Sequence, residues 1–171
     1  MSPGDDAQTA PGGRTERYPP FGEAVGFLLS QLGAAVAQEF SSSMAELGLE
    51  PRHFALLRSI VAHEGESQSA LAEHLSIPPS SMVAIVDQLE ERGLVERRVH
   101  VSDRRARTLH LTDAGDDVVQ RATELAMELE STVCRGLSDE QRSDVIERLH
   151  RIGANVGVTR GVHPGLQSDS A

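Results

Sequence analysis

The sequence predicts a mainly α-helical fold with one small β-hairpin. Over most of the chain, apolar residues recur at steps of three and four, which is the period of one face of a helix. In one short segment Leu109 and Leu111 alternate instead with Thr108 and His110, as expected for a half-buried strand. Residues that favour helix ends divide the helical pattern into six helices, with the hairpin between the fourth and the fifth.

The first four helices follow from apolar stripes and from the residues that begin each helix. A stripe from Phe21 to Phe40 predicts a first helix of about six turns. Pro51 suits the first turn of a second helix, and Ser67 can cap a short third helix. A tight connection through residues 76–78 leads into a fourth helix from about Pro79 to Arg92. In the second and fourth helices the residues expected to face inward are Phe54, Leu57, Ile60, Val61, Met82, Ile85, Val86 and Leu89.

The hairpin follows the fourth helix directly. Gly93 suits the left-handed conformation that ends many helices, so the fourth helix should stop there. Residues 94–99 and 106–111 then predict two strands joined by a loop from His100 to Arg105. Two short helices joined by a tight turn form a helix-turn-helix, whose second helix enters the major groove of DNA. With the hairpin added, the predicted architecture is a winged helix-turn-helix.

The last two helices extend beyond this unit. Thr112 can cap a fifth helix, and Ser138 with Gln141 forms a capping-box pattern that begins a sixth. The first and the last helices are longer than one unit of this size would cover, so their apolar stripes should pack against a second subunit. The sequence therefore predicts a homodimer joined through the N- and C-terminal helices.

The chain is expected to hold one domain between two tails. Both ends lack periodicity, and the first 18 residues are rich in Gly, Pro, Asp and Thr. No run approaches the roughly 18 apolar residues of a membrane span, and the helical period of the run from Phe21 to Ala37 argues against a signal peptide. A lone cysteine, Cys134, fits a cytoplasmic location. The predicted divisions are a disordered tail at 1–18, a domain at 19–157 with dimerisation helices at about 21–46 and 112–156 and a DNA-binding lobe at about 51–111, and a flexible tail at 158–171.

Charge is distributed unevenly along the chain. The formal net charge of −10 opposes binding to a phosphate backbone, and the aromatic content of 3% argues against a stacking platform for single strands. Residues 92–107, however, hold six arginines against two acids, whereas residues 113–150 hold four arginines against ten acids. Such a polarity would direct the basic segment toward DNA. The alternative is a solvated hairpin with scattered salt bridges, and charge alone leaves the two interpretations even.

Three runs of sequence resemble the MarR family of bacterial transcriptional regulators. They are Ser69–Leu75, Val86–Arg97, and Asp103–Ala106 together with Leu111–Gly115. The resemblance extends from about Phe21 to Val156 in the order of the elements. It implies a homodimer that binds a near-palindromic site on double-stranded DNA as a sequence-specific regulator. It also implies a repressor that a small lipophilic or phenolic effector releases from DNA.

The resemblance assigns roles to the predicted wing. Asp103 and Arg105 match the Asp-x-Arg of the family's wing, in which Arg105 would enter the minor groove and Asp103 would hold its guanidinium group. The alternative for this pair is an ordinary surface ion pair. Arg97 and Arg104 are candidates for phosphate contacts, as are Arg98 and Arg107.

The predicted recognition helix departs from the family pattern. Relatives often have a Thr-Arg pair where this chain has Val83 and Ala84, and Gln88 occupies a position that is often basic. Base recognition would therefore depend on few polar groups, and weak or shape-dependent specificity is expected. The candidates on the two helices of the helix-turn-helix are Ser67, Ser69, Ser80, Ser81, Val83, Ala84 and Gln88.

An effector site is also implied by the resemblance. Relatives bind small molecules in a cleft between the dimerisation helices and the helix-turn-helix, which His53, Phe27 and Gln31 would line here. The alternative for His53 is a structural role with its hydrogen bonds satisfied by the protein. Thiol sensing is disfavoured, because Cys134 lies at the end of the fifth helix rather than near the first.

The sequence gives no support for an enzyme. It has no Gly-x-Ser-x-Gly elbow and no glycine-rich phosphate loop, and His63-Glu64 lacks the second histidine of a zinc motif. No cofactor or metal is expected. The alternative to a DNA-binding regulator is a dimeric winged-helix protein that acts through protein–protein interaction with little affinity for DNA. The acidic net charge favours this alternative slightly, and the wing arginines count against it.

Overall fold

The computed structural model describes residues 20–99 and 107–161. These residues confirm the predicted order of the helices and the hairpin. They form two compact units, which divide within the first helix between Ala37 and Gln38. The elements are a 3-10 turn at Phe21–Glu23, α1 at Val25–Ala45, α2 at Pro51–Ala62, α3 at Gln68–Leu75, α4 at Pro79–Glu91, β1 at Val95–Val99, β2 at Arg107–Leu111, α5 at Asp113–Val133 and α6 at Asp139–Asn155.

The core of the second unit is built from the inward faces of α2 to α5 and from the hairpin. The four apolar residues predicted for the inner face of α4 are all buried, as are Leu57 and Ile60 of α2. Their spacing of three and four residues places them on one side of each helix. Further core side chains are Met44, Leu56, Leu71, Leu109 and Ala122.

The residues predicted as helix caps act as caps. Each of three N-cap hydroxyl oxygens accepts a hydrogen bond from the backbone N–H three residues later, which satisfies a donor that the helix leaves unpaired. Gly93 has a φ of +69°, a left-handed conformation that glycine adopts without strain. The capping bonds are Ala70 N–H to Ser67 at 3.2 Å, Gly115 N–H to Thr112 at 3.0 Å, and Gln141 N–H to Ser138 at 3.2 Å.

The hairpin is tied to helices on both sides. Its two strands are antiparallel, with Val95 opposite Leu111 and Val99 opposite Arg107. An isolated bridge joins Thr108 of β2 to Ser67, the residue that caps α3. On the other side Gly115, in the first turn of α5, approaches the backbone so closely that a Cβ atom there would lie 2.0 Å from the carbonyl oxygen of Leu94.

Several apolar residues lie outside the core. Val61 was expected to face inward, but its side chain is 49% exposed, so that prediction is wrong. The first helix begins at Val25 rather than at Phe21, which lies in the preceding 3-10 turn. In the first unit Leu32 is 60% exposed, and in α6 of the second unit Leu149 is 45% exposed. Each unit therefore presents apolar surface that its own packing does not cover.

No helix in the described part of the chain combines the length and the apolar composition that a membrane span requires.

Candidate nucleic-acid interface

A three-residue turn sets the angle between α3 and α4. Ser76 ends α3 in a left-handed conformation, with a φ of +53°. The backbone N–H of Ile77 then donates to the carbonyl of Ala72 at 2.9 Å, and the Ile77 side chain is buried. Pro78 and Pro79 follow, and Pro79 occupies the first turn of α4, where its missing N–H costs nothing. The result is a helix-turn-helix as predicted.

The outward face of α4 holds most of the residues predicted to contact bases. Ser80, Ala84 and Gln88 are exposed and lie four residues apart, so they form one row along the helix. Val83 is exposed beside this row, with 45% of its surface accessible. Ser81 is half-buried and makes an interaction of its own within the protein. Their contacts with DNA stay predictions.

The two serines predicted at the start of α3 differ in their surroundings. The hydroxyl oxygen of Ser67 caps the helix, and the residue is half-buried. Ser69 is exposed in the first turn of α3. Of the two, Ser69 is the more accessible to a partner molecule.

Arg97 has partners within the protein that the sequence interpretation missed. Its guanidinium group forms ion pairs with Asp87, at 2.5 Å, and with Glu90, both on α4. Its Nε donates to the side-chain oxygen of Gln68 on α3 at 3.3 Å, and its backbone N–H donates to Glu90 at 3.2 Å. Arg97 therefore joins the first strand of the hairpin to both helices of the helix-turn-helix, and its expected role as a phosphate contact stays a prediction.

A signal for this arrangement was present in the sequence. Side chains alternate between the two faces of a strand, so Arg97 lies on the same face as the buried Val95. It is also paired across the hairpin with Leu109, which is fully buried. An arginine on the inner face of a strand needs acids nearby, and Asp87 and Glu90 are the acids one turn apart on the adjacent helix.

Two further arginines of the basic segment are also occupied. Arg92 donates to the carbonyls of Gly48 at 2.6 Å and Leu47 at 2.9 Å, beyond the C-terminus of α1. Arg98 is paired with Glu96 on the same strand. Within the basic segment, the charge of Arg97 is offset by Asp87 and Glu90 and that of Arg98 by Glu96, whereas Arg92 is held by backbone carbonyls and keeps its charge.

The predicted wing tip lies outside the described residues. The last described pair of the hairpin is Val99 with Arg107, and Arg107 makes an interaction within the protein. Asp103, Arg104 and Arg105 fall within residues 100–106, so their contacts with DNA stay predictions.

His53 lies beneath the recognition helix. It is 5% exposed, and both ring nitrogens are bonded: Nδ1 is 3.0 Å from the backbone nitrogen of Glu50, and Nε2 is 2.8 Å from the side-chain oxygen of Gln88. Burial lowers the pKa of His53 below 6.5, although the hydrogen bond to Gln88 acts in the opposite direction. The ring has no spare polar atom for an effector in this conformation.

The other two residues predicted for the effector site belong to the first unit. Phe27 is half-buried and makes an interaction within the protein, and Gln31 is exposed on α1. Their contribution to an effector site, like that of His53, stays a prediction. Among the described residues, no group of three His, Cys, Asp or Glu side chains is arranged to hold a metal ion.

Comparisons with known sequences agree with this geometry. A model of the MarR family matches residues 47–106, which span α2, the helix-turn-helix and the first strand of the hairpin. The chain is 33% identical over 129 residues to a putative transcriptional regulatory protein for the hcr operon of Thauera aromatica, covering 75% of this chain and 78% of the relative. It is 30% identical over 131 residues to the HTH-type transcriptional repressor Rv2887 of Mycobacterium tuberculosis, covering 77% of this chain and 94% of the relative.

Solved structures of the repressor CouR are similar to this chain in fold. CouR bound to a 23-mer DNA duplex has a TM-score of 0.68 and 32% identity, covering 77% of this chain and 94% of that one. CouR from Rhodococcus jostii RHA1 bound to p-coumaroyl-CoA has a TM-score of 0.67 and 26% identity, covering 85% of this chain and all of that one. The same architecture is thus found in a repressor bound to DNA and in a protein of the same name bound to a small molecule.

Proposed function

Because this chain belongs to the MarR family of transcriptional regulators, we propose that it is a homodimeric repressor that binds a near-palindromic site on double-stranded DNA. A small lipophilic or phenolic effector would release it. The observation that carries this proposal is the helix-turn-helix of α3 and α4, whose second helix exposes a row of residues four apart. The protein would act in the cytoplasm, where the chromosome lies, and the proposal includes no catalytic step.

The recognition helix α4 would lie in the major groove with its exposed row against base edges. Ser80 and Gln88 would supply hydrogen bonds, and the methyl groups of Val83 and Ala84 would contact thymine methyls. Arg105 would enter the adjacent minor groove with its guanidinium group held by Asp103. Arg97 would set the angle of the wing through Asp87 and Glu90.

Dimerisation would cover the exposed apolar residues of α1 and α6. Leu28, Leu32 and Val36 recur at steps of four in α1, and Val145 and Leu149 are four apart in α6. A two-fold axis would bring two copies of α4 to successive major grooves, which lie roughly 34 to 36 Å apart along B-DNA. This geometry is the reason for expecting a near-palindromic site.

The family resemblance and the structural neighbour CouR together support one chemical class of effector. The resemblance indicates phenolic or lipophilic molecules, and CouR binds p-coumaroyl-CoA, a phenolic acyl thioester. We infer that phenolic acids and their coenzyme A thioesters are the first effectors to test. Phe27, Gln31 and His53 are the proposed contacts, with His53 giving up one of its present hydrogen bonds or offering the face of its ring.

Binding to DNA from the region upstream of its own gene tests the proposal. Fluorescence anisotropy across a salt series should show tight binding, with log affinity falling linearly as log salt rises. Arg105→Ala should weaken binding about tenfold or more and reduce the salt slope by about one. Arg121→Ala on α5, which removes the same charge from an exposed ion pair, should change affinity less than about twofold. The proposal would be overturned if the protein showed no salt-sensitive binding to this upstream region or to genomic fragments.

A second candidate function keeps some support. Arg97 is paired with Asp87 and Glu90 of α4, and the net charge is −10, so less positive charge is available to DNA than the sequence suggests. A dimeric winged-helix protein that binds another protein would not need a positively charged outer surface. That candidate predicts no DNA binding at any salt concentration, which the same titration measures.

A further inference from the structure

His53 connects the start of α2 to the recognition helix. It is the third residue of α2, and its ring lies between the backbone of Glu50 and the side chain of Gln88, which is 35 residues away in sequence. The ring is buried at 5% exposure, which limits the access of water to its two bonds. The position of the Gln88 side chain is thus set by a residue of another helix.

The chemistry of the two bonds fixes the position of the ring proton. The backbone N–H of Glu50 can only donate, so Nδ1 of His53 must accept and carries no proton. A neutral imidazole then carries its proton on Nε2, which donates to Gln88. Burial lowers the pKa of His53, which favours this neutral form.

The same logic fixes the orientation of the Gln88 amide. An N–H donor must meet the carbonyl oxygen of the amide rather than its NH₂ group, so Oε1 faces His53. The NH₂ group is consequently the end that Gln88 extends outward. Gln88 is exposed and continues the row of Ser80 and Ala84 on the outer face of α4.

This orientation restricts what Gln88 recognises. Glutamine usually reads adenine by accepting from N6 with its oxygen while donating to N7 with its NH₂ group. With the oxygen bonded to a buried ring, the end of the amide that faces outward is the NH₂ donor. Acceptors on DNA are O6 and N7 of guanine, N7 of adenine, O4 of thymine and the phosphate oxygens, whereas cytosine offers only its N4 amino donor in the major groove.

We propose that His53 is a positioning residue that turns the NH₂ group of Gln88 outward, so that the partner of this group on DNA is an acceptor atom, on a base edge or on a phosphate. This inference rests on the proposed function, because it requires that α4 faces DNA. It adds a specificity-determining role for a residue that touches no DNA.

Two substitutions of His53 with opposite hydrogen-bonding chemistry test the inference. In His53→Gln, the new oxygen accepts from Glu50 and the new NH₂ group donates to Gln88, which preserves the native pattern; glutamine is a usual capping-box residue at this helix position. In His53→Glu, the new carboxylate accepts from both neighbours. The Gln88 amide must then turn over, with its NH₂ group inward and its oxygen outward.

The measurement is selection of bound sites from random DNA by the full-length protein, with sequencing before and after. Wild type and Gln88→Ala together identify the base pair whose preference depends on Gln88. We expect cytosine, whose major-groove edge offers only an amino donor, to be disfavoured there about tenfold on the Gln88-contacted strand. His53→Gln should keep this preference, and His53→Glu, which turns the Gln88 oxygen outward, should shift it toward cytosine.

The same variants separate a base contact from a phosphate contact. If Gln88 donates to a phosphate, Gln88→Ala and His53→Glu should weaken binding evenly over all sequences by about tenfold, while His53→Gln keeps full affinity. Gln88→Glu provides a variant that leaves the core untouched, because one carboxylate oxygen still accepts from His53 and the other replaces the outward donor. It should lose the preference in the base case and lose affinity evenly in the phosphate case.

Other outcomes would overturn the inference. If His53→Gln and His53→Glu select the same DNA sites with the same affinity, and both unfold at the wild-type temperature, the chemistry at residue 53 does not orient Gln88. If His53→Glu does not fold, an unchanged preference in Gln88→Glu would overturn the inference. A wild-type preference for cytosine at the Gln88-dependent position would contradict it directly. If wild type selects no DNA, the proposed function fails, and the inference about DNA recognition fails with it. In that case, NMR of the His53 ring nitrogens separately tests whether the ring proton is on Nε2 and donates to Gln88.

Discussion

His53 links the stability of the protein to pH. Burial lowers its pKa in the folded state below the value of 6.5 in the unfolded chain, against the opposing effects of the Gln88 hydrogen bond and the Glu50 charge. Above 6.5 the ring is neutral in both states, so it adds no pH dependence. As the pH falls below 6.5, the unfolded chain takes up the proton first, and the free energy of unfolding decreases until the pH passes the folded pKa.

The measurement is urea unfolding at fixed protein concentration, from about pH 7.5 to about pH 5. Wild type should lose stability over this range more steeply than His53→Gln, which keeps the hydrogen bonds without a titrating ring. Identical slopes for the two proteins would contradict the prediction.

Arg97 and Arg98 provide a matched pair on one strand. Arg97 is bonded to two helices and has 22% of its side chain exposed, whereas Arg98 is 58% exposed and pairs with Glu96 of its own strand. Arg97→Ala should lower the free energy of unfolding by about 1 kcal/mol, a value discounted for partial exposure. It should also weaken DNA binding about tenfold, because the strand loses the bonds that hold it to α3 and α4.

Salt dependence distinguishes positioning from direct contact. If Arg97 acts by position, the slope of log affinity against log salt should match that of wild type, although affinity falls. A slope reduced by about one would instead identify Arg97 as a phosphate contact. Arg98→Ala should leave stability within about 0.5 kcal/mol of wild type.

At the scale of elements, Gly115 allows α5 to begin against the hairpin. A Cβ atom at this position would lie 2.0 Å from the backbone oxygen of Leu94, which cannot move as a flexible side chain would. Gly115→Ala should therefore destabilise the protein by about 3 kcal/mol or more. Ala114→Ser, at the exposed neighbouring position, is the control and should change stability by less than about 0.5 kcal/mol. Equal thermal unfolding of the two variants would refute the close approach.

At the scale of elements, some features of the fold are predictable from the sequence and others are not. The caps at Ser67, Thr112 and Ser138 and the helix end at Gly93 were predictable, because each depends on residues within three or four positions. The partner of His53 was not, since Gln88 lies on another helix and only the fold brings the two together. For Arg97, strand alternation indicates an inward side chain, but its bond to Gln68 of α3 depends on the fold. Val61 was misplaced because it borders the apolar stripe, where helical spacing does not decide whether a neighbour covers it.

At the scale of the whole molecule, exposed apolar residues on α6 predict a dimer. Leu149→Glu should place a charge in the interface and shift the protein from twice its chain mass of 18.4 kDa toward the monomer. Ser143→Glu adds the same charge to another face of α6 and should leave the dimer intact. Sedimentation velocity measures both, and a dimeric Leu149→Glu protein would exclude this face of α6 from the interface.

Hydroxyl-radical footprinting on DNA from the region upstream of the gene tests the central claim most directly. A homodimer with two recognition helices should protect two symmetric patches, with centres about 10 to 10.5 base pairs apart or a multiple of this. Each patch should be flanked by minor-groove protection that Arg105→Ala removes. A folded dimer that protects no site on this or on genomic DNA would contradict the assignment as a DNA-binding repressor.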